Sequence, residues 1–280
     1  MTPDRIIVAE NDGRERSTGS VPVERWGEYA RKVIAGITLY DTYQNLPLHK
    51  QEVINTVNFA RERVAGNPER IIVLGSGQNS IEISSLHKNF GGAEIIAADI
   101  QPKFLETLMK RLSRNNKKAF DQTYPVQMDI GKPWPMTVSN DDGKEISLDS
   151  LPFVFCNIVF NWLTSEEQAE VFKNVSERLS PEGDFILATL TDNWNSEQVR
   201  RHIPEQLRQN PFWTILGAVG ARRWADETAQ EFGIHRPSVD DIYELATNSG
   251  LEVKYIDKDR IFWKTENGKP TAIVCHLTKK

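Results

Sequence analysis

The sequence predicts an α/β fold, a parallel sheet with helices on both faces. Three observations predict it. Short all-apolar runs recur through the middle of the chain, amphipathic stretches separate them, and the first run ends at a Gly-x-Gly. A strand buried on both faces reads as unbroken apolar residues. Strands alternating with helical stretches mark a crossover sheet. The 280 residues suffice for one elaborated core rather than two equal ones. The net charge of −5 argues against nucleic acid or an anionic membrane as the main partner, because a phosphate-binding footprint is basic. No apolar run approaches the roughly 20 residues of a membrane span. The first twenty residues carry acids and no long apolar segment, unlike a secretory signal. Cys156 and Cys275 lie in apolar, strand-like runs and read as buried reduced thiols. A cytoplasmic protein fits, and no Cys/His cluster has metal spacing.

The elements follow in order. Val23, Trp26, Ala30, Val33, Ile34 and Ile37 recur at helical spacing. A second helix is expected from about His49 to Val64, ended by Gly66-Asn67-Pro68. Residues 1–65 then form an N-terminal helical extension to a domain spanning 66–280. Strands are expected at Ile71–Leu74, Ile95–Ala98, Tyr124–Met128, Phe153–Cys156 and Phe185–Leu190, with helices over 80–90, 102–114 and 165–179. Pro133, Pro135 and an acidic turn break the rhythm across 129–150. Residues 192–236, with Trp194, Trp213 and Trp224, read as a helical insert. Ser238 caps a further helix, with Asp241 three residues on. A strand at Leu251–Tyr255 follows. Ile261–Lys264, the turn at Asn267-Gly268 and Ala272–Leu277 predict a terminal hairpin.

The glycines locate a site. Ligands bind an open parallel sheet beyond the carboxyl ends of its strands. Gly75, Ser76 and Gly77 sit there, and the glycines let a ligand approach bare backbone while the next helix aims its amides at it. Asp99, just past the second strand, suits the two hydroxyls of a ribose. It equally suits the cap of the helix starting near Gln101. Asp129 ends the third strand, where it can accept from an adenine amine between the apolar faces of Met128 and Ile130, or serve as an ordinary loop acid. Asn157, Asn161 and Trp162 reach the top of the sheet from LPFVFCNIVFNWL.

These pieces in this order resemble the class I S-adenosylmethionine-dependent methyltransferases. The matching stretches are VLGSGQNS, AADIQ, VQMDI, VFCNIVFNWL and LSPEGDF. The resemblance implies a Rossmann-like seven-stranded sheet with its last strand antiparallel and S-adenosyl-L-methionine as cofactor. It places Gly75 and Gly77 against the amino-acid end, Asp99 on the ribose, Asp129 on the adenine, Ile100 and Ile130 beside the ring, and Asn157 beside the methionine portion. Tyr40, on the N-terminal helix, suits a cover over the cofactor and equally ordinary packing. The chain departs from the family in having Val73 where an acid is usual, Asn79 where a glycine is common, and Pro152 and Phe153 in place of an early Asp in the fourth strand.

NIVFNWL is similar to the small-molecule branch that methylates carboxylates, the trans-aconitate and juvenile hormone acid enzymes among them. Asn161 and Trp162 then position an acceptor whose carboxylate or hydroxyl oxygen takes the methyl group. Gln44 and Gln51 are further donors. A carboxylate needs no general base, whereas a hydroxyl acceptor would draw on a histidine; His202 and His235, in the insert, suit that role or a solvent-facing or structural one. The insert NPFWTILGAVGARRW suits the roof of a small-molecule pocket and equally a homodimer interface. Arg200, Arg201, Arg222 and Arg223 beside it suit an acidic substrate or a solvated helix face. Two other functions stay open. A nicotinamide-dependent dehydrogenase would need glycine where Ser80 stands, and a ligand-binding descendant of the fold would bind without turnover.

Overall fold

The computed structural model describes residues 6–8, 47–139, 145–193, 235–260 and 269–280. Its centre is an eight-stranded sheet. The strands are β1 (Ile7–Val8), β2 (Arg70–Leu74), β3 (Glu94–Asp99), β4 (Thr123–Gln127), β7 (Leu151–Asn157), β8 (Leu179–Leu190), β9 (Leu251–Asp257) and β10 (Ala272–Lys279). They lie in the order β1-β4-β3-β2-β7-β8-β10-β9. Leaving out the two-residue edge strand β1, this is the expected seven-stranded sheet, with β10 antiparallel to both β8 and β9. A separate antiparallel ribbon, β5 (Thr137–Ser139) and β6 (Glu145–Ser147), occupies the stretch that broke the rhythm.

Each strand sends alternate side chains to opposite faces. On one face Ile72, Leu74, Ile96, Val126, Val154 and Leu187 meet helices α5 (Ser165–Arg178) and α6 (Val239–Ser249). On the other, Ile71, Val73, Ile95, Phe153, Phe155 and Ile186 meet α1 (Pro47–Arg63), α2 (Ser80–Asn89) and α3 (Pro102–Asn115). A short α4 (Lys117–Asp121), not foreseen in the sequence, leads into β4. Fully burying one such Val, Leu, Ile or Phe contributes about 1.5–3 kcal/mol. The helices start where side chains cap them. Asn79 takes the Ile81 amide for α2. Thr164 with Glu167, and Ser238 with Asp241, close reciprocal boxes on α5 and α6.

One element differs from expectation. The Pro-x-Gly at 181–183 does not separate a helix end from a strand. β8 begins at Leu179 and bulges, its pairing with β7 jumping from Leu151↔Leu179 to Phe153↔Asp184. Gly183 permits this, since a methyl there would lie 2.8 Å from the Leu151 carbonyl oxygen. The hairpin partner of β10 is β9 at 251–257. Residues 261–268, expected to supply that strand and turn, lie outside the described residues.

The topology fixes where a ligand can sit. From β2 the chain moves outward through β3 to β4, then returns to lay β7 on the other side of β2. Neighbouring crossovers therefore diverge at the carboxyl ends of β2 and β7, and the crevice between them is the natural binding place of such a sheet.

Candidate functional site

Gly75, Ser76 and Gly77 leave the end of β2, and Gly75 and Gly77 both have positive φ, 62° and 55°. Ser76 donates its amide to the Ala98 carbonyl at 2.9 Å. Gly77 donates its amide to Asp99 Oδ2 at 2.8 Å, and Gln101 donates to Asp99 Oδ1 at 2.8 Å. Asp99 thus pins the glycine loop from one oxygen and starts α3 from the other, joining the two roles its sequence position suggested. Burial pushes its carboxyl up to about 6, and the amides of Gln101 and Gly77 pull against that rise.

Gly75 has a reason to be bare that the sequence did not show. A methyl on it would lie 2.5 Å from Val159 Cβ. The loop after β7 packs directly on the loop after β2, so the crevice floor is protein on protein at this point. The chain bends sharply to do so. Ile158 takes φ 59°, rare for a β-branched residue, and its amide donates to the Ala188 carbonyl at 2.8 Å.

Asn157 ends β7 and donates its Nδ2 to Glu82 Oε2 at 2.7 Å. Glu82 sits in the first turn of α2 at 4% exposure. Burial pushes its carboxyl up to about 8, only partly offset by Asn157. Burial, with the Glu82 charge added, also pushes the Cys156 thiol up, so that group stays protonated. Ser76 Oγ, Asn157 Oδ1 and Asn161 Oδ1 are shut from solvent with no partner among the described residues.

Asn161 and Trp162 lie in a 3₁₀ turn, Phe160–Trp162, with Asn161 buried and Trp162 half-buried. Gln168 on α5 holds this turn. Its Nε2 donates to the carbonyls of Phe160 at 3.0 Å and His235 at 2.7 Å, with a long third contact to Leu163 at 3.4 Å. The segment that returns from the expected insert is thereby tied to the loop after β7. His235 itself is half-buried, with Nε2 3.5 Å from Asp241.

The second predicted acid is arranged differently. Asp129 takes the Gly131 amide on Oδ1 at 3.1 Å, and Lys132 Nζ lies 3.6 Å from Oδ2. Met128 and Ile130 are 2% and 6% exposed and belong to the buried apolar layer that includes Trp134 and Phe160, while Ile100 is half-exposed. Gln51 is exposed and donates to Asn55. Tyr40, Gln44, His202, the paired arginines and the insert tryptophans lie outside the described residues. So the structure gathers the 75–77 loop, Asp99 and Asn157 at one end of the sheet, with Asp129 past the end of β4. Sequence reasoning missed Glu82, Val159 and Gln168.

Residues 73–185 match the family model described as a methyltransferase domain. Over that stretch, less than half of the chain, the sequence is similar to methyltransferases. No curated protein matches the sequence. Among solved structures, the chain resembles the mitomycin 7-O-methyltransferase MmcR at 11% identity and TM-score 0.51, covering 82% of this chain and 54% of that one. Geranyl diphosphate C-methyltransferase from Streptomyces coelicolor A3(2) aligns at 10% identity and TM-score 0.54, over 80% of this chain and 76% of that one. The CcbJ methyltransferase from Streptomyces caelestis aligns at 14% identity and TM-score 0.53, over 82% and 96%. The chain therefore spans about half the length of the first of these and most of the third. At such identities the likeness is one of fold, and the fold is the seven-stranded methyltransferase sheet. No helix among the described residues is long and apolar enough to cross a membrane.

Proposed function

We propose that the protein is an S-adenosylmethionine-dependent methyltransferase of the cytoplasm that methylates a small organic acceptor, with a carboxylate or hydroxyl oxygen favoured. One observation carries this reading: the buried Asp99 carboxyl pinning Gly77 beside the β2/β7 crevice. The site's residues suit the cofactor, since Ser76 Oγ and Asn157 Oδ1 have no partner among the described residues. A buried polar atom without a partner is costly until a ligand satisfies it.

In this reading Gly75, Ser76, Gly77 and Asn157 receive the amino-acid end and Asp99 the ribose. Asp99 still has acceptor capacity, because each carboxylate oxygen can take more than one donor. Ile100 and Asp129 serve the adenine side, and Met128 and Ile130 support that wall from the core. Tyr40 covers the cofactor. When bound, the cofactor supplies a methyl group on a sulfonium, a ready leaving group. What remains for the protein is alignment, which can contribute about 7–11 kcal/mol. Asn161 and Trp162, with the turn fixed by Gln168, position the acceptor, and His202 lies on the insert that roofs it. A carboxylate acceptor is already a nucleophile at neutral pH, so Asn161 and Trp162 need only orient it and keep water away.

Calorimetric titration with S-adenosylmethionine, S-adenosylhomocysteine and NADH tests the reading. Both sulfur nucleosides are expected to bind and NADH not. Asp99→Ala should weaken them by about a hundredfold, the value of one or two charge-assisted hydrogen bonds. If neither sulfur nucleoside binds, the reading is wrong, and binding of NADH alone would make the protein a dehydrogenase.

A further inference from the structure

The Glu82 carboxyl is nearly sealed from water, and among the described residues no lysine, arginine or histidine pairs with it. The stripe that α2 presents to the core contains Glu82, Ile83 and Leu86, so the acid occupies a place where an apolar residue would pack at no electrostatic cost. Asn157 turns its one amine toward Glu82, which leaves Oδ1 as the free end of the amide, shut from solvent and without a donor. Ser76 Oγ, on the adjoining strand end, is in the same condition. The wall of the crevice at the β2/β7 junction therefore offers acceptors: a carboxyl, an amide oxygen and a hydroxyl. A primary ammonium brings three donors and the missing positive charge.

We propose that Glu82 and Asn157 together receive the primary ammonium group of the bound sulfonium nucleoside, Glu82 releasing its proton to solvent as the ammonium arrives. The assignment rests on the methyltransferase reading above and goes beyond it in making cofactor binding proton-linked. Glu82 is then a cofactor-binding residue supplied by helix α2. Until the cation is present, burial favours the protonated acid, with the carboxyl held at about 8. Once it is present, the buried charge is paired. The titratable and charged groups on the elements around Glu82 do not replace that cation. Cys156 on β7 is a buried thiol. Asp99 at the end of β3 is held by two amides. Glu52 on α1 is a buried acid. Arg111 on α3 gives its guanidinium to the Gln78 carbonyl at 3.1 Å. His87, farther along α2, is bound to Gln122.

The test is calorimetric titration of the full chain at pH 7 in two buffers of different ionisation heat, which counts the protons released. The ligands are S-adenosylhomocysteine and 5′-methylthioadenosine, which keeps the adenosine and the thioether but lacks the amino-acid end. In the wild type, S-adenosylhomocysteine should release close to one proton and 5′-methylthioadenosine none. Glu82→Gln should abolish that release and weaken S-adenosylhomocysteine by about tenfold or more, with 5′-methylthioadenosine unchanged. Asn157→Ala, which keeps the acid, should also weaken only the ammonium-bearing ligand. From pH 6 toward 8 the wild-type affinity for S-adenosylhomocysteine should rise by up to about tenfold per unit, as the proton to be displaced becomes easier to lose. In Glu82→Gln that slope should fall to the one 5′-methylthioadenosine shows, which reports Asp99 alone. Proton release that survives in Glu82→Gln, or equal weakening of both ligands, overturns the assignment while leaving the methyltransferase reading intact. Failure of the wild type to bind either nucleoside overturns both.

Discussion

The two loops that meet at the crevice are built on opposite principles. After β2, the backbone is held within the protein and only the Ser76 hydroxyl lacks a partner among the described residues. Ser76 N–H is on Ala98, Gly77 N–H on Asp99 at the end of β3, and both Asp99 oxygens are engaged. After β7, the loop is strained at Ile158, and Asn157 Oδ1 and Asn161 Oδ1 have no partner among the described residues. A satisfied loop is rigid before any ligand arrives, which is what a cradle requires. A strained loop with orphaned polar atoms carries an unfavourable energy that a ligand can relieve. The contrast assigns geometry to the first loop and recognition to the second.

The contact between Gly75 and Val159 is where the two loops touch, and breaking it should have the largest effect. Gly75→Ala places a methyl against Val159 Cβ at a residue with positive φ. Overpacking and the left-handed conformation together should cost about 3 kcal/mol in denaturant unfolding. Val159→Ala should recover only a small part of the loss, because it removes both γ-methyls but keeps the β-carbon at 2.5 Å. Val159→Gly should recover part of the loss. Equal unfolding midpoints for Gly75→Ala and the wild type would show that the loops are not packed on each other.

That contact was not legible in the sequence, and the reason is general. The strands were, because a strand hidden on both faces has to be apolar throughout, so Ile71–Leu74, Ile95–Ala98 and Phe153–Cys156 stand out unaided. The caps were also legible, since Ser238 and Asp241 act within one helical turn. Gly75 and Val159 are 84 positions apart in the chain, and nothing local in either stretch points to the other. Glu82 and Gln168 form an intermediate case. Each lies on an apolar stripe, Glu82 with Ile83 and Leu86, Gln168 with Val171, Phe172 and Val175. A polar residue on a stripe meant for the core is a readable signal, and here it marks a ligand-facing acid and a loop clamp. The early start of β8 was not legible, because Pro181 and Gly183 usually lie outside strands, whereas here Gly183 lets the strand run past Leu151 before Phe185.

Gln168 sharpens the comparison, because it is what keeps the recognition loop in one shape. Its buried amide donates to Phe160 and His235 at once. Gln168→Leu keeps the volume roughly and removes both donations. Each carbonyl then loses a donor in a buried place, for a combined cost of about 2 kcal/mol. Amide hydrogen exchange should quicken at His235, whose N–H donates to the Leu163 carbonyl, and at Leu163, whose N–H donates to the Phe160 carbonyl, and not at Gly77. Faster exchange at Gly77 as well would mean that the two loops do not open independently.

The smallest expected effect runs in the other direction. Ile158 holds φ 59° at the tip of β7, a conformation glycine adopts freely. Ile158→Gly removes that strain, loses a half-buried side chain and adds freedom to the unfolded chain, so the net gain should be at most about 1 kcal/mol. If the strain merely accompanies the fold, the variant is more stable and otherwise unchanged. If the strain aims Asn157 and Asn161 into the crevice, the variant is more stable and binds S-adenosylhomocysteine more weakly, because the freed loop must be ordered again when the ligand arrives. A thermal melt and a binding isotherm on the same variant separate these outcomes. Opposite signs in the two measurements would identify Ile158 as the place where stability is given up for recognition, while a loss in both would return its role to ordinary packing.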